Sequence, residues 1–199
     1  MQNYELTEDE KDVLQELMNM AYGNATAVVA DMLDAFASLS IPHIEITSID
    51  DLLDTFSKLK STSYFFSTQA FNGEFSGESA FFINEESANN LSKHLELEDD
   101  EDLYDAILEL TNVLTSSLTT KLAQEMDTEV SFSLPNISKV PLEEIDDIKT
   151  FKHYSQVIVI DTELNFKDQQ INGKIFILTK DESIKWLKAK LNSILALLI

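Results

Sequence analysis

Apolar residues recur every three or four positions near the start of the chain, which predicts a long amphipathic helix. The recurring residues are Leu14, Leu17, Ala21, Ala25, Val28, Met32 and Phe36. Thr7 and Glu10 precede them with the spacing of a capping box, in which a hydroxyl and a carboxylate satisfy backbone N–H groups at the helix start. Pro42 follows, outside the predicted helix.

The same organisation returns later in the chain. A second helix is predicted from Leu103, Ile107, Leu110, Leu114, Leu118 and Leu122, and Pro135 follows it. After each helix we expect a short strand (42–47; 130–137), an acidic segment (50–60; 142–150), two longer strands (63–70 and 74–83; 155–166 and 170–178) and a closing helix (85–95; 181–198). Asn72-Gly73 predicts a tight reversal, whereas Asn172-Gly173 fits either a turn or a strand entry. The charge run 98–102 predicts a solvated linker.

A Glu-x-x-Asn pattern marks the register of an internal duplication. Glu16/Asn19 and Glu109/Asn112 each precede a proline by 26 positions from the glutamate (42 minus 16; 135 minus 109). The sequences that follow Gly77 and Gly173 are also alike. We therefore predict a single α+β domain made of two repeats, about 7–97 and 102–198. Its fold is a pseudo-two-fold, six-stranded mixed sheet flanked by long helices.

Charge and composition narrow the function classes. The formal net charge of −22 argues against a nucleic-acid partner and against an anionic membrane surface. There is no cysteine, and the three histidines stand far apart, so no metal site is expected in the chain. Neither a signal peptide nor a run of membrane-spanning length is evident, which predicts no membrane insertion and a cytoplasmic location.

Each Glu-x-x-Asn pair begins a polar stripe on its helix, because residues three or four apart share one face. The first stripe is Glu16, Asn19 and Gly23. The second is Glu109, Asn112 and Ser116. A glycine inside a helix costs about 0.5–1 kcal/mol relative to alanine, and close approach of another backbone or of a partner is one reason to accept that cost.

The spacing alone is a weak signal, since Glu86 and Asn89 also fit it without a repeat counterpart. An exposed polar helix face is the plain alternative, and the shared register of the other two pairs favours function. A carboxamide can hold a water molecule in line for attack on phosphorus, and positioning does most of the work in phosphoryl transfer. A nearby carboxylate can pair with a lysine of the partner.

These residues resemble the CheC/CheX/FliY family of chemotaxis phosphatases. The matching segments are Glu16-Leu-Met-Asn19-Met-Ala-Tyr-Gly23-Asn24-Ala25 and Glu109-Leu-Thr-Asn112-Val-Leu-Thr-Ser116, each followed by a proline-led strand. With two pairs, the chain is more similar to two-site CheC than to single-site CheX. Two departures stand out. Ser116 replaces the glycine of the family, and Tyr22 is expected to narrow the approach to Gly23.

The resemblance implies a phosphatase that hydrolyses the phosphoaspartate of a CheY-like response regulator. Glu16 and Glu109 would hold the regulator, while Asn19 and Asn112 would orient the attacking water. Gly23 and Ser116 would border the binding surface. No cofactor is expected on this chain, because the regulator supplies Mg²⁺. The deamidase CheD is a further candidate partner. The alternatives are a non-catalytic adaptor for a response regulator, CheD or a flagellar switch component, and an acidic scaffold whose repeats are only structural.

Overall fold

The computed structural model describes residues 5–40, 43–57, 63–141, 156–179 and 181–198. Pro42, the acidic segment 142–150 and the end of the segment 50–60 lie outside these ranges. The helices are α1 (Glu8–Leu33), α2 (Ile49–Ser57), α3 (Glu85–His94), α4 (Asp100–Glu125) and α5 (Asp181–Leu198). The strands are β1 (Ser38–Leu39), β2 (His43–Ser48), β3 (Ser63–Gly73), β4 (Gly77–Asn84), β5 (Val130–Phe132), β6 (Asn136–Pro141), β7 (Gln156–Phe166) and β8 (Ile171–Thr179).

The strands form one sheet in the order β1-β7-β8-β4-β3-β5, with β2 also paired to β7 and β6 also paired to β3. The expected α+β fold with long helices is confirmed, with two corrections. Within the described residues there are eight strands rather than six, because β1 precedes β2 and the predicted strand 130–137 is interrupted between β5 and β6. Every pairing is antiparallel rather than mixed, because the hairpins β3–β4 and β7–β8 meet through an antiparallel β4–β8 ladder.

The two repeats exchange strands. Strand β2 of the first repeat pairs with β7 of the second, His43 lying opposite Asp161. Strand β6 of the second repeat pairs with β3 of the first, Asn136 lying opposite Thr68. Each repeat therefore contributes a strand that pairs with the hairpin of the other repeat within the one sheet.

Alternation along the strands divides the core between the two faces of the sheet. In β3, Phe65 and Phe71 face the cluster that includes buried residues of α1, α3, α4 and α5. Tyr64 and Phe66 face the opposite side, where Leu52 of α2 is buried. The predicted apolar residues of the second helix are all buried: Leu103, Ile107, Leu110, Leu114, Leu118 and Leu122.

Helix α1 begins as predicted but ends earlier. The Thr7 hydroxyl accepts a hydrogen bond from the Glu10 amide, and the Glu10 carboxylate accepts one from the Thr7 amide, which completes the capping box. The helix ends at Leu33, and Asp34 follows with the left-handed backbone angle φ of 44°. Because the helix stops there, Phe36 is exposed rather than part of the buried face.

The apolar face of α1 also runs differently near its end. Val28 was expected in that face but is exposed, and Val29 and Leu33 are buried instead. Position 29 continues the spacing from Leu14 through Ala21 and Ala25 better than position 28, since 25 and 29 lie one turn apart.

The first Asn-Gly is not a turn, which corrects the expectation. Strand β3 continues through Asn72 and Gly73, which pair with Ser131 and Val130 of β5. A Cβ atom at Gly73 would lie 2.4 Å from the Glu129 carbonyl oxygen, so glycine permits this close backbone approach. The second Asn-Gly, at Asn172-Gly173, lies at the entry to strand β8.

Helix α5 packs on α1 and β7. Ile184, Leu187 and Leu191 are buried, and Ile194 is partly buried against the same core, as the helical spacing predicts. The charge run 98–102 is not only a linker, because α4 begins within it at Asp100 and the Asp99 carboxylate accepts a hydrogen bond from the Asp102 amide and caps that helix.

Candidate functional site

The first predicted stripe lies on the exposed face of α1. Glu16, Asn19 and Gly23 are all exposed, as expected. Among the described residues, the side chains of Glu16 and Asn19 make no hydrogen bond or ion pair. Within that part of the chain, no hydrogen bond therefore fixes the side chain of Asn19.

Gly23 has no close neighbour in the described part of the chain. A Cβ atom built there would meet no heavy atom within 4 Å. Close approach among the described residues therefore does not account for this glycine. Tyr22 does not narrow the approach, which corrects the expectation: its ring is 5% exposed and packs in the core under α1.

Glu109 and Asn112 of the second predicted stripe line a groove of about 640 Å³ between α4, β5 and the segment 133–135 that joins β5 to β6. Glu109 is exposed and Asn112 is half-buried. The residues that line the groove are Gln69, Asp105, Leu108, Glu109, Asn112, Phe132, Ser133, Leu134 and Pro135. The structure thus brings the second Glu/Asn pair together with the proline that follows it 26 positions later. The equivalent contact in the first repeat would involve Pro42, which lies outside the described residues.

Gln69 is a site residue that the sequence reasoning missed. Its side chain is 1% exposed, and its amide nitrogen Nε2 lies 2.9 Å from Asn112 Oδ1 and 2.9 Å from the Ser133 carbonyl oxygen. Its own carbonyl oxygen Oε1 is buried without a partner among the described residues. A buried, unsatisfied acceptor costs about 1–3 kcal/mol, and such a cost is typical of functional sites.

Gln69 lies opposite the break between β5 and β6. Strand β3 pairs with β6 as far as Thr68 and with β5 from Phe71 onward. Within the gap, the Ser133 amide donates to the Ala70 carbonyl oxygen at 3.0 Å. The Ser133 carbonyl oxygen accepts from Gln69 Nε2, so the side chain of Gln69 takes the place of a backbone N–H donor in the ladder.

Ser116 differs from Gly23 in more than size. It is half-buried, and its hydroxyl donates to the Val113 carbonyl oxygen of its own helix at 3.3 Å. The second stripe is therefore less open than the first. The sequence signal for Gln69 was a run of three polar residues, Ser67, Thr68 and Gln69, between the aromatic residues of β3, which by itself names no partner.

The third Glu-x-x-Asn pair, Glu86 and Asn89, lies on α3. Glu86 lies in the first turn of α3, where the helix dipole favours a carboxylate. Within the described residues, no cluster of three or more histidine, aspartate or glutamate side chains could hold a metal ion. In the same part of the chain, none of the helices is long and apolar enough to cross a membrane.

The sequence matches no protein-family model and no curated protein. The folded chain is similar to FliY of Thermotoga maritima, with a TM-score of 0.74 and 16% identity over 94% of this chain and 98% of that one. It is also similar to the FliM middle domain of H. pylori (TM-score 0.60, 14% identity, 93% and 99% covered). A third similar structure is CheX of Desulfovibrio desulfuricans (TM-score 0.55, 12% identity, 83% and 99% covered). The chain therefore has the fold of FliY, CheX and the FliM middle domain, which confirms at the level of fold the resemblance to the CheC/CheX/FliY family.

Proposed function

We propose that the protein is a chemotaxis-type phosphatase that hydrolyses the phosphoaspartate of a CheY-like response regulator. The observation that carries the proposal is the groove beside α4, where Glu109, Asn112 and Pro135 meet. These three residues were selected from the repeat pattern alone. Their convergence on one concave surface supports a shared role rather than a chance spacing.

The chemistry needs few groups from this chain. An attacking water forms a bond to phosphorus while the bond from phosphorus to the aspartyl oxygen breaks, and the regulator's carboxylate leaves. Asn112 or Asn19 would hold the water in line. Mg²⁺ on the regulator would neutralise the charge that develops on the phosphoryl oxygens. No nucleophile of the phosphatase takes part.

Glu16 and Glu109 suit the holding of a cationic partner surface. Both carboxylates are exposed and make no ion pair among the described residues. Asp105 adds a second acidic side chain to the groove of α4. A lysine beside the regulator's phosphoaspartate would complete an ion pair with either glutamate and set the docking geometry.

The test is loss of phosphate from a purified CheY-like receiver domain, phosphorylated with acetyl phosphate in the presence of Mg²⁺. We expect Asn19→Ala and Asn112→Ala each to reduce the catalysed rate. Asn89→Ala is the matched control, because Asn89 has the same Glu-x-x-Asn spacing and is exposed on α3. An equal loss in all three variants would argue against the assignment.

A second candidate is an adaptor that binds a response regulator, CheD or a flagellar switch component without catalysis. The similarity to the FliM middle domain favours it, since FliM of H. pylori forms complexes with FliG and with SpeE. Binding of the phosphorylated receiver domain without any faster phosphate loss selects the adaptor. Faster phosphate loss that depends on Asn19 or Asn112 selects the phosphatase.

A further inference from the structure

The side chain of Gln69 fixes which way the amide of Asn112 faces. The Ser133 carbonyl oxygen can only accept a hydrogen bond, so the Gln69 atom that lies 2.9 Å from it must be the nitrogen Nε2. The same nitrogen lies 2.9 Å from the Asn112 side chain, which must therefore present its oxygen Oδ1. Two nitrogens in that position would place donor against donor.

This network sets the polarity of Asn112 on its other side. With Oδ1 directed at Gln69, the Nδ2 group of Asn112 is the part of the amide left for other contacts, and Asn112 lines the groove. Nδ2 makes no hydrogen bond among the described residues. Nδ2 is thus an N–H donor at the groove, and its orientation is set before any partner binds. Preorganised donors are the most effective kind at stabilising a developing charge.

Among the described residues, no side chain makes the equivalent contact to Asn19. Asn136, which follows Pro135, lies opposite Thr68, the residue before Gln69. In the other repeat His43, which follows Pro42, lies opposite Asp161, so the strand register makes Thr162 the counterpart of Gln69. Threonine has no carboxamide. Asn19 is exposed and is held by no hydrogen bond among the described residues.

We propose that Gln69 is a positioning residue that presets Asn112 as a hydrogen-bond donor to an oxygen of the substrate or of the attacking water. This proposal deepens the proposed function and rests on it. It makes the two sites unequal: the site on α4 is preorganised by the sheet, whereas the site on α1 orders its asparagine only when the partner arrives. Ordering on binding costs side-chain entropy, so the site on α4 turns over faster.

The test isolates the site on α4 in an Asn19→Ala background and replaces Gln69 by methionine, which has a similar length and no amide. We expect kcat for the phosphorylated receiver domain to fall at least about tenfold, with KM changed by less than about twofold. In the Asn112→Ala background, Q69M should add no comparable loss, because the group that Gln69 positions is already gone. Equal losses in both backgrounds, or an unchanged kcat in the first, would overturn the proposal.

A second variant tests whether Asn112 acts as a hydrogen-bond donor. Asn112→Asp keeps the shape and still accepts from Gln69, but it presents a carboxylate oxygen to the groove instead of an N–H group. In the Asn19→Ala background we expect N112D to lose at least about tenfold in kcat, as Q69M does. Full activity of N112D would show that an acceptor serves equally well, and the proposed polarity would be wrong.

A readout independent of phosphatase activity separates this inference from the proposed function. In side-chain amide NMR spectra of the full chain, the Gln69 amide protons should exchange slowly with solvent, and Q69M should shift the Asn112 amide resonances but not those of Asn19. Fast exchange at Gln69, or an unchanged Asn112 amide, overturns the positioning role whatever the activity. If the amide pattern is as expected but Asn19→Ala/Asn112→Ala keeps the parent rate, the proposed function fails while the orientation of Asn112 stands.

Discussion

Gly23 weakens helix α1 without any neighbour in the described chain that requires a glycine. Replacing it with alanine should therefore raise the free energy of unfolding by about 0.5–1 kcal/mol. The same methyl group would stand where we expect the regulator's surface to approach, so KM for the phosphorylated receiver domain should rise. Denaturant unfolding and steady-state kinetics in an Asn112→Ala background measure the two effects.

Asn24→Ala is the control for that experiment. Asn24 is exposed on the same helix, one residue away from the stripe, so alanine there changes helix propensity without entering the stripe. A Gly23→Ala variant that is stabilised and binds the regulator like the parent would show that no partner comes close at this position.

Leu134 is 87% exposed at the edge of the groove beside Asn112. An apolar side chain with so little packing contributes little to the fold, so Leu134→Ser should change the free energy of unfolding by less than about 0.5 kcal/mol. If the side chain contacts the regulator, binding to the α4 site should weaken. Titration of a beryllofluoride-activated receiver domain into an Asn19→Ala variant measures this.

Leu197 offers a matched comparison, since it is 86% exposed on α5, away from the groove-lining residues. Leu197→Ser should leave the titration unchanged. If both leucine variants lose affinity equally, the effect comes from general surface hydrophobicity rather than from the groove.

The residues of the candidate site were only partly predictable. The stripes followed from helical spacing and from the repeat, both of which are local or periodic signals. Gln69 could not be found that way, because it lies 43 positions from Asn112 and its role depends on a break in the neighbouring strands. Tyr22 belongs to the main buried cluster, and its adjacency to Gly23 in the sequence does not reveal on which side of α1 its ring lies.

At the scale of elements, Glu10 joins the start of α1 to α5. Its carboxylate accepts from the Thr7 amide at 2.8 Å and from Asn192 Nδ2 at 2.7 Å, and it lies 3.1 Å from Lys188 Nζ. Burial opposes ionisation of this side chain, yet the hydrogen bonds from Thr7, Lys188 and Asn192 outweigh it and lower the pKa of Glu10 below its ordinary value. The carboxylate form is therefore the one that the fold stabilises.

A lowered pKa makes this contribution dependent on pH. The stabilisation is present above the ordinary glutamate value of 4.5 and is lost as the pH falls through the lower value of the folded state. Glu10→Gln keeps a capping box but loses the ion pair, so we expect it to lose about 1–3 kcal/mol at neutral pH. The difference from the parent should shrink in acid, as measured by urea unfolding across a pH series.

Glu8→Gln is the control, because Glu8 forms an exposed ion pair with Lys11 at 2.9 Å on the same helical turn. Such exposed pairs are screened by solvent and contribute little to stability. An equal loss in both variants, or a Glu10→Gln effect that does not vary with pH, contradicts the proposed link between the two helices.

Periodicity predicted the long helices and the strands of the hairpins, because within each element the residues of one face recur at a fixed spacing. It did not reveal α2, which begins with Ile49 and two aspartates, Asp50 and Asp51, and which therefore looks like a solvated acidic segment. The break at Ser133–Pro135 was also hidden, since a strand pattern gives no sign that its ladder is interrupted.

For the whole molecule, the exchange of strands means that neither repeat has a complete sheet of its own. Strand β2 requires β7, and β6 requires β3. We expect residues 1–98 and 99–199 to remain largely unfolded when produced separately and to regain structure when mixed. Far-UV circular dichroism and amide NMR dispersion measure this, and a well-folded isolated half would contradict the predicted single domain of two dependent repeats.

We propose that this fold carries two phosphatase sites, one on each of the long helices α1 and α4. The most direct measurement is the rate of phosphate loss from a phosphorylated CheY-like receiver domain with Mg²⁺, with the parent protein and with Asn19→Ala/Asn112→Ala. We predict that the parent accelerates phosphate loss and that the double variant reduces the rate to that of the receiver domain alone. A double variant as active as the parent would contradict the claim.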